Sequence, residues 1–168
     1  MGLFKKTEVK TIVEQIEDFF KQINYKYQVM DETETKSIIK TGIALSIGNT
    51  DGYLVIHHKL SLVEVLTYAP VHVPENKRLE VSKLFDQADL STYIGNIHLN
   101  HETGEMRCKT YFKYSNEPID SEIIKDNFFE CFNVLERFVP PAMRIVYGGV
   151  SAETAFSEVT GQVNPMDN

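Results

Sequence analysis

From Lys36 to Tyr68 the apolar side chains recur at every second position, and few folds accommodate that pattern. Successive residues of a strand point to opposite faces, so period-two alternation marks strands with two distinguishable sides. In Lys36–Ile47, Ile39, Thr41, Ile43, Leu45 and Ile47 share one face. Gly48-Asn49-Thr50-Asp51-Gly52 then reads as a turn, because Asn and Gly tolerate positive φ. Tyr53–Leu60 and Leu62–Tyr68 continue as strands, and three runs so joined predict an antiparallel meander. Tyr25–Met30 is a further short β-like run, set off by a polar turn over Asp31, Glu32, Thr33 and Glu34.

The Leu62–Tyr68 run is apolar on both sides. Leu62, Leu66 and Tyr68 point one way, Val63, Val65 and Ala69 the other, and only Glu64 and Thr67 interrupt them. A sheet with one wet face shows cleaner alternation. Either helices cover both faces or a second chain does.

On both sides of the meander the period changes to that of a helix. Val9, Ile12, Val13, Ile16, Phe19, Phe20 and Ile23 form one stripe over Thr7–Ile23, with Thr11 and Glu14 at capping-box spacing and Thr7 as an equally good cap. After Pro74, Leu79, Leu84, Phe85 and Ala88 mark a second helix, which Gly95 ends. Two alternating runs follow, joined by Glu102-Thr103-Gly104. Met106, Cys108, Thr110, Phe112 and Tyr114 take one face, and Arg107, Lys109, Tyr111 and Lys113 the other. Asp120 or Ser121 caps a third helix lined by Ile124, Phe128, Cys131, Phe132, Leu135 and Phe138. Pro140-Pro141 predicts its end near Val139. Short helices over Ala142–Tyr147 and Ala152–Val159 follow, separated by Gly148-Gly149 and capped by Ser151.

The expected fold is therefore α+β: an antiparallel sheet with helices packed on it. The order is helix, three or four strands, helix, two strands, helix, then short C-terminal helices, three before the central helix being the order preferred. A length of 168 residues makes this a single domain, 1–168, with its core over about 7–159 and a polar, loose tail over 160–168. A chain of this length buries enough surface to fold without a metal or disulfide.

The net charge of -7 and the lack of a clustered Lys/Arg footprint argue against a nucleic-acid partner. No apolar run approaches the ~20 residues that span a bilayer. MGLFKKTEVK lacks the apolar segment of a signal peptide, and Lys6 breaks the myristoylation pattern. These readings place the protein in the cytoplasm, with Cys108 and Cys131 as reduced, buried thiols.

Three stretches carry a family resemblance. They are Val73-Pro74-Glu75 with Lys77-Arg78 and Val81; Tyr93-Ile94-Gly95-Asn96-Ile97-His98-Leu99 with Gly104-Glu105-Met106-Arg107; and Val146-Tyr147-Gly148-Gly149 with Ser151, Glu153 and Ala155. In these the chain resembles the YbjN-domain family of bacterial sensory transduction regulators, over about Thr7–Val159. It departs from the family at Gln87-Ala88-Asp89, where members often carry Asn. The resemblance implies a fold similar to type III secretion chaperones, often dimeric, acting by binding other proteins. It implies no substrate, cofactor or reaction.

The residues themselves support no catalytic motif. His57, His58, His72, His98 and His101 lack metal-ligand spacing, and no Gly-x-Ser-x-Gly elbow is present. Glu64, an acid in an apolar run, reads as a catalytic carboxylate, an edge-strand charge, or a partner of Arg107 or Lys109 across the sheet. Gly148, Gly149 and Ser151 lead into a helix N-terminus, which suggests an anion or small-molecule sensor as an alternative function. The leading expectation is a non-enzymatic, homodimeric, protein-binding or chaperone-like module. Ile38, Leu62, Leu66, Tyr68 and Tyr111 are its candidate partner or dimer surface, against plain core packing as the other reading.

Overall fold

A computed structural model describes residues 9–161. The order is α1 (Ile12–Gln22), β1 (Tyr27–Glu32), β2 (Lys36–Leu45), β3 (Gly48–His57), β4 (Leu62–His72), α2 (Arg78–Ser91), β5 (Asn96–Leu99), β6 (Glu105–Lys113), α3 (Ser121–Gly148) and α4 (Ala152–Gly161). The fold is α+β, with one six-stranded sheet in the order β1-β2-β3-β4-β6-β5, all pairs antiparallel.

Of the three or four strands expected before α2 the structure has four, because the short run after α1 pairs with β2 as an edge strand. The glycine-rich stretch is not the turn. Leu45 pairs with Gly48, so the chain reverses at Ser46-Ile47, and Gly48–Gly52 lies inside β3. Gly52 has a packing role instead: a Cβ there would lie 2.7 Å from Cζ of Phe132 on α3.

α1 starts at Thr11, whose hydroxyl accepts from Glu14 N–H at 3.2 Å while the Glu14 carboxylate accepts from Thr11 N–H at 2.7 Å. Val9 therefore precedes the helix; the alternative cap, Thr7, lies outside the described residues, as does 162–168 of the expected tail. On α2, Leu79 is 72% exposed and Val81 takes its place in the core with Leu84, Phe85 and Ala88.

The prolines do not stop the third helix. α3 runs for 28 residues through Pro140 and Pro141 to Gly149, which closes it in the left-handed conformation at φ 66°. Each proline forgoes a helical hydrogen bond. Phe138, Val139, Pro141, Ala142 and Ile145 are all buried, so the core continues along the same stripe across the break. Tertiary packing of that stripe outweighs local propensity.

The core lies between the sheet and the helices. Val63, Val65, Thr67, Leu54, Ile56, Met106 and Cys108 point into it and are fully buried. Thr67 Oγ1 donates to the Cys131 carbonyl of α3 at 3.2 Å, and Phe20 of α1 meets Phe128 of α3 edge to face at 5.1 Å. Both cysteines are buried and unbonded. The contact with Cys131 and burial push the Cys108 thiol well above its ordinary pKa.

Candidate protein-docking surface

The alternation that sends Val63, Val65 and Thr67 inward sends Leu62, Glu64, Leu66 and Tyr68 outward, onto a face where every one of them is half-buried. Register extends that face across the sheet. Ile38 pairs with Val55, Val55 with Glu64, and Glu64 with Tyr111. The next row is Lys40, Tyr53, Leu66, Lys109, and the one beyond it Asp51, Tyr68, Arg107. Among the described residues no helix covers this outer face.

The face has an apolar centre and a charged frame. Ile38, Tyr53, Val55, Leu66 and Tyr68 line a shallow groove of about 660 Å³, with Met30 at its rim. Tyr53 and Tyr68 meet edge to face at 5.8 Å. Lys40 lies 5.6 Å from the Tyr53 ring centre and 3.5 Å from the Asp51 carboxylate. Tyr111 is 64% exposed.

β4 is an interior strand, so Glu64 is not an edge-strand charge. It accepts from Lys109 Nζ at 2.6 Å and contacts His57 Nε2 at 3.3 Å. Burial works to raise the Glu64 pKa, but the hydrogen bonds from Lys109 and His57 outweigh it and hold the carboxyl below its usual range. That makes it a fixed acceptor, the opposite of what proton transfer near neutrality requires.

All five residues expected at a partner surface, Ile38, Leu62, Leu66, Tyr68 and Tyr111, lie on this one face. Tyr53, Val55 and Lys40 belong with them and were missed. The signal was present: once the turn is moved to Ser46-Ile47, Tyr53, Val55 and His57 alternate in phase with Ile38 and Lys40.

The Gly148–Ser151 turn is arranged differently. Ser151 caps α4, its hydroxyl accepting from Thr154 N–H at 3.2 Å. The Glu80 carboxylate, from α2, accepts from Ala152 N–H at 2.8 Å. A side-chain anion thus already sits where a bound one would.

The histidines are dispersed. His58 contacts Ser37 Oγ at 2.9 Å and the Tyr114 hydroxyl at 3.3 Å. Ser37 is 0% exposed, so this relay ties β2 to the end of β6 and offers no nucleophile to a substrate. His101 contacts Ser82 at 2.7 Å, and Arg78 Nη1 donates to the His101 carbonyl at 2.9 Å. Among the described residues no group of His, Cys, Asp and Glu could hold a metal ion, and no described helix is long and apolar enough to cross a membrane.

No protein-family model matches the sequence. The curated proteins contain no match to it either.

Proposed function

We propose that this chain is a non-enzymatic protein-docking module, regulatory or chaperone-like in the sense the YbjN resemblance implies, that works in the cytoplasm through the open face of its sheet. One observation carries the reading: helices bury one side of a six-stranded sheet, while the other keeps an apolar groove framed by ion pairs. An apolar centre inside a polar rim is the usual anatomy of a protein interface. The fixed charge of Glu64 and the two buried thiols supply rigidity and packing, not reactive groups.

A photoreactive side chain placed at Leu66 in the cell, with a control at Glu130 on α3, tests this. Polypeptide adducts, to another protein or to the chain itself, are expected from Leu66 and not from Glu130. No adduct from Leu66, or equal yields from both positions, refutes it.

A further inference from the structure

We propose that the cleft between α3 and α4 binds a small apolar monocarboxylate, held by Arg137. The site is separate from the open sheet face and from the Gly148–Ser151 turn, and it does not depend on the docking reading.

Its starting point is an orphaned donor. Among the described residues, Arg137 Nε is buried and donates to nothing. Arg137 also makes no ion pair with any described residue. A guanidinium stays charged at any working pH, and buried polar groups are nearly always satisfied. The Arg137 Cζ lies 5.0 Å from the centre of the Phe138 ring, itself fully buried. With Nε sealed in that position, the Nη groups are the donors left for a ligand. Their placement is fixed before one arrives, which lowers the cost of binding.

The cleft supplies the room. Its volume of about 520 Å³ is that of a small-molecule site. Arg137, Pro140, Pro141 and Arg144 line it from α3, at steps of three, four and seven that share one helix face. Ala155, Glu158 and Val159 line it from α4 with the same spacing.

Charge decides the ligand class. Glu136 also lines the cleft, so its ionic groups are two arginines and two glutamates. Arg144 pairs with Glu158. The Glu136 carboxylate accepts from Ser46 N–H at 3.0 Å. That leaves one uncommitted positive charge with two carboxylates nearby. A single carboxylate balances it and matches the planar fork. A phosphate dianion would bring a second negative charge against Glu136 and Glu158. The rest of the lining is Pro140, Pro141, Ala155 and Val159. It is apolar, and proline has no N–H to offer. The body of the ligand is therefore hydrocarbon.

The test is heteronuclear NMR of the arginine Nε–H signals in the full chain, titrated with sodium hexanoate at constant ionic strength. The Arg137 signal is the one that Arg137→Lys removes. It is expected to shift saturably, with Kd at about a millimolar or below. Arg107, on the sheet, should not move. Acetate, lacking the hydrocarbon body, should bind about tenfold more weakly or worse. Hexanol and inorganic phosphate should give no saturable shift. Calorimetry then compares two variants that keep the wild-type helical signal. Arg137→Lys keeps the charge but loses the fork, and should weaken hexanoate about tenfold. Val159→Phe, at a half-buried position, fills the apolar end; it should weaken hexanoate and leave acetate unchanged. No saturable shift at Arg137 overturns the site. Phosphate or hexanol binding as tightly as hexanoate overturns the ligand class. Hexanoate binding that Arg137→Lys leaves unchanged places the ligand elsewhere and overturns the proposal. Binding that appears only in Asp167→Asn makes a carboxylate of this chain the occupant, and overturns it too.

Discussion

Replacing Gly52 with alanine asks whether this glycine serves a turn or a helix contact. The added methyl would sit 2.7 Å from Phe132 Cζ and 3.4 Å from both Phe132 Cε2 and Thr41 Cγ2. Ordinary carbon–carbon contact is about 3.5–4.0 Å, so the ring would have to retreat by roughly 1 Å. It has nowhere easy to go, being 1% exposed and packed edge to face on Phe128 at 5.2 Å. Overpacking a close-packed core costs about 1–3 kcal/mol. Against this, alanine removes unfolded-chain freedom worth about 0.4–1 kcal/mol where the backbone tolerates it. The net expectation is a loss of about 1–2 kcal/mol, or about 2–8 °C in Tm for a domain of this size. Phe132→Leu alone costs roughly 1–2 kcal/mol through lost packing. In the double variant the smaller side chain makes room for the methyl, so the two losses fall short of their sum by ~1 kcal/mol or more. Urea unfolding of the four proteins measures this, with m held constant as the check on two-state behaviour. A Gly52→Ala variant more stable than wild type, or effects additive within ~0.5 kcal/mol, would refute the contact and return Gly52 to a conformational role.

Gly104→Ala is expected to be more damaging, by roughly 3 kcal/mol or more, since the residue has φ 77° and its Cβ would lie 2.1 Å from the Val73 carbonyl oxygen; a fall in Tm no larger than that of Gly52→Ala would refute this. Glu64→Gln tests the ion network through pH. The folded-state pKa of Glu64 is lowered from 4.5, so its contribution is present above 4.5 and is lost as pH falls through the lower folded value. Wild type should therefore exceed Glu64→Gln in stability near neutrality, and the gap should close below pH 4.5; a constant gap down to the acid transition would count against the network.

Much of the architecture was legible from periodicity. Alternation in Lys36–Leu45, Leu62–Tyr68 and Met106–Phe112 assigned strands and faces correctly, because two-residue periodicity is a local property of an extended backbone. The same reasoning put Ile38, Leu62, Leu66, Tyr68 and Tyr111 on a common candidate surface. The hairpin at Ser46-Ile47 was misplaced because glycines mark both turns and close approaches, and only α3 reveals which use Gly52 has. Helix propensity ended α3 at Pro140, where a buried stripe on both sides of the prolines keeps the helix intact.

Amino-acid order alone determined which side chains lie on each side of each strand, since a pleat offers no other choice. Which side the helices would cover was a different matter. It depended on how α1, α2 and α3 reach back across the sheet through contacts such as Phe20–Phe128, Thr67–Cys131 and Gly52–Phe132, made between residues far apart in the chain. Tertiary structure likewise joined Glu64 to His57 and Lys109, and set Glu80 on the N-terminus of α4, because long-range distance is not encoded in any local period.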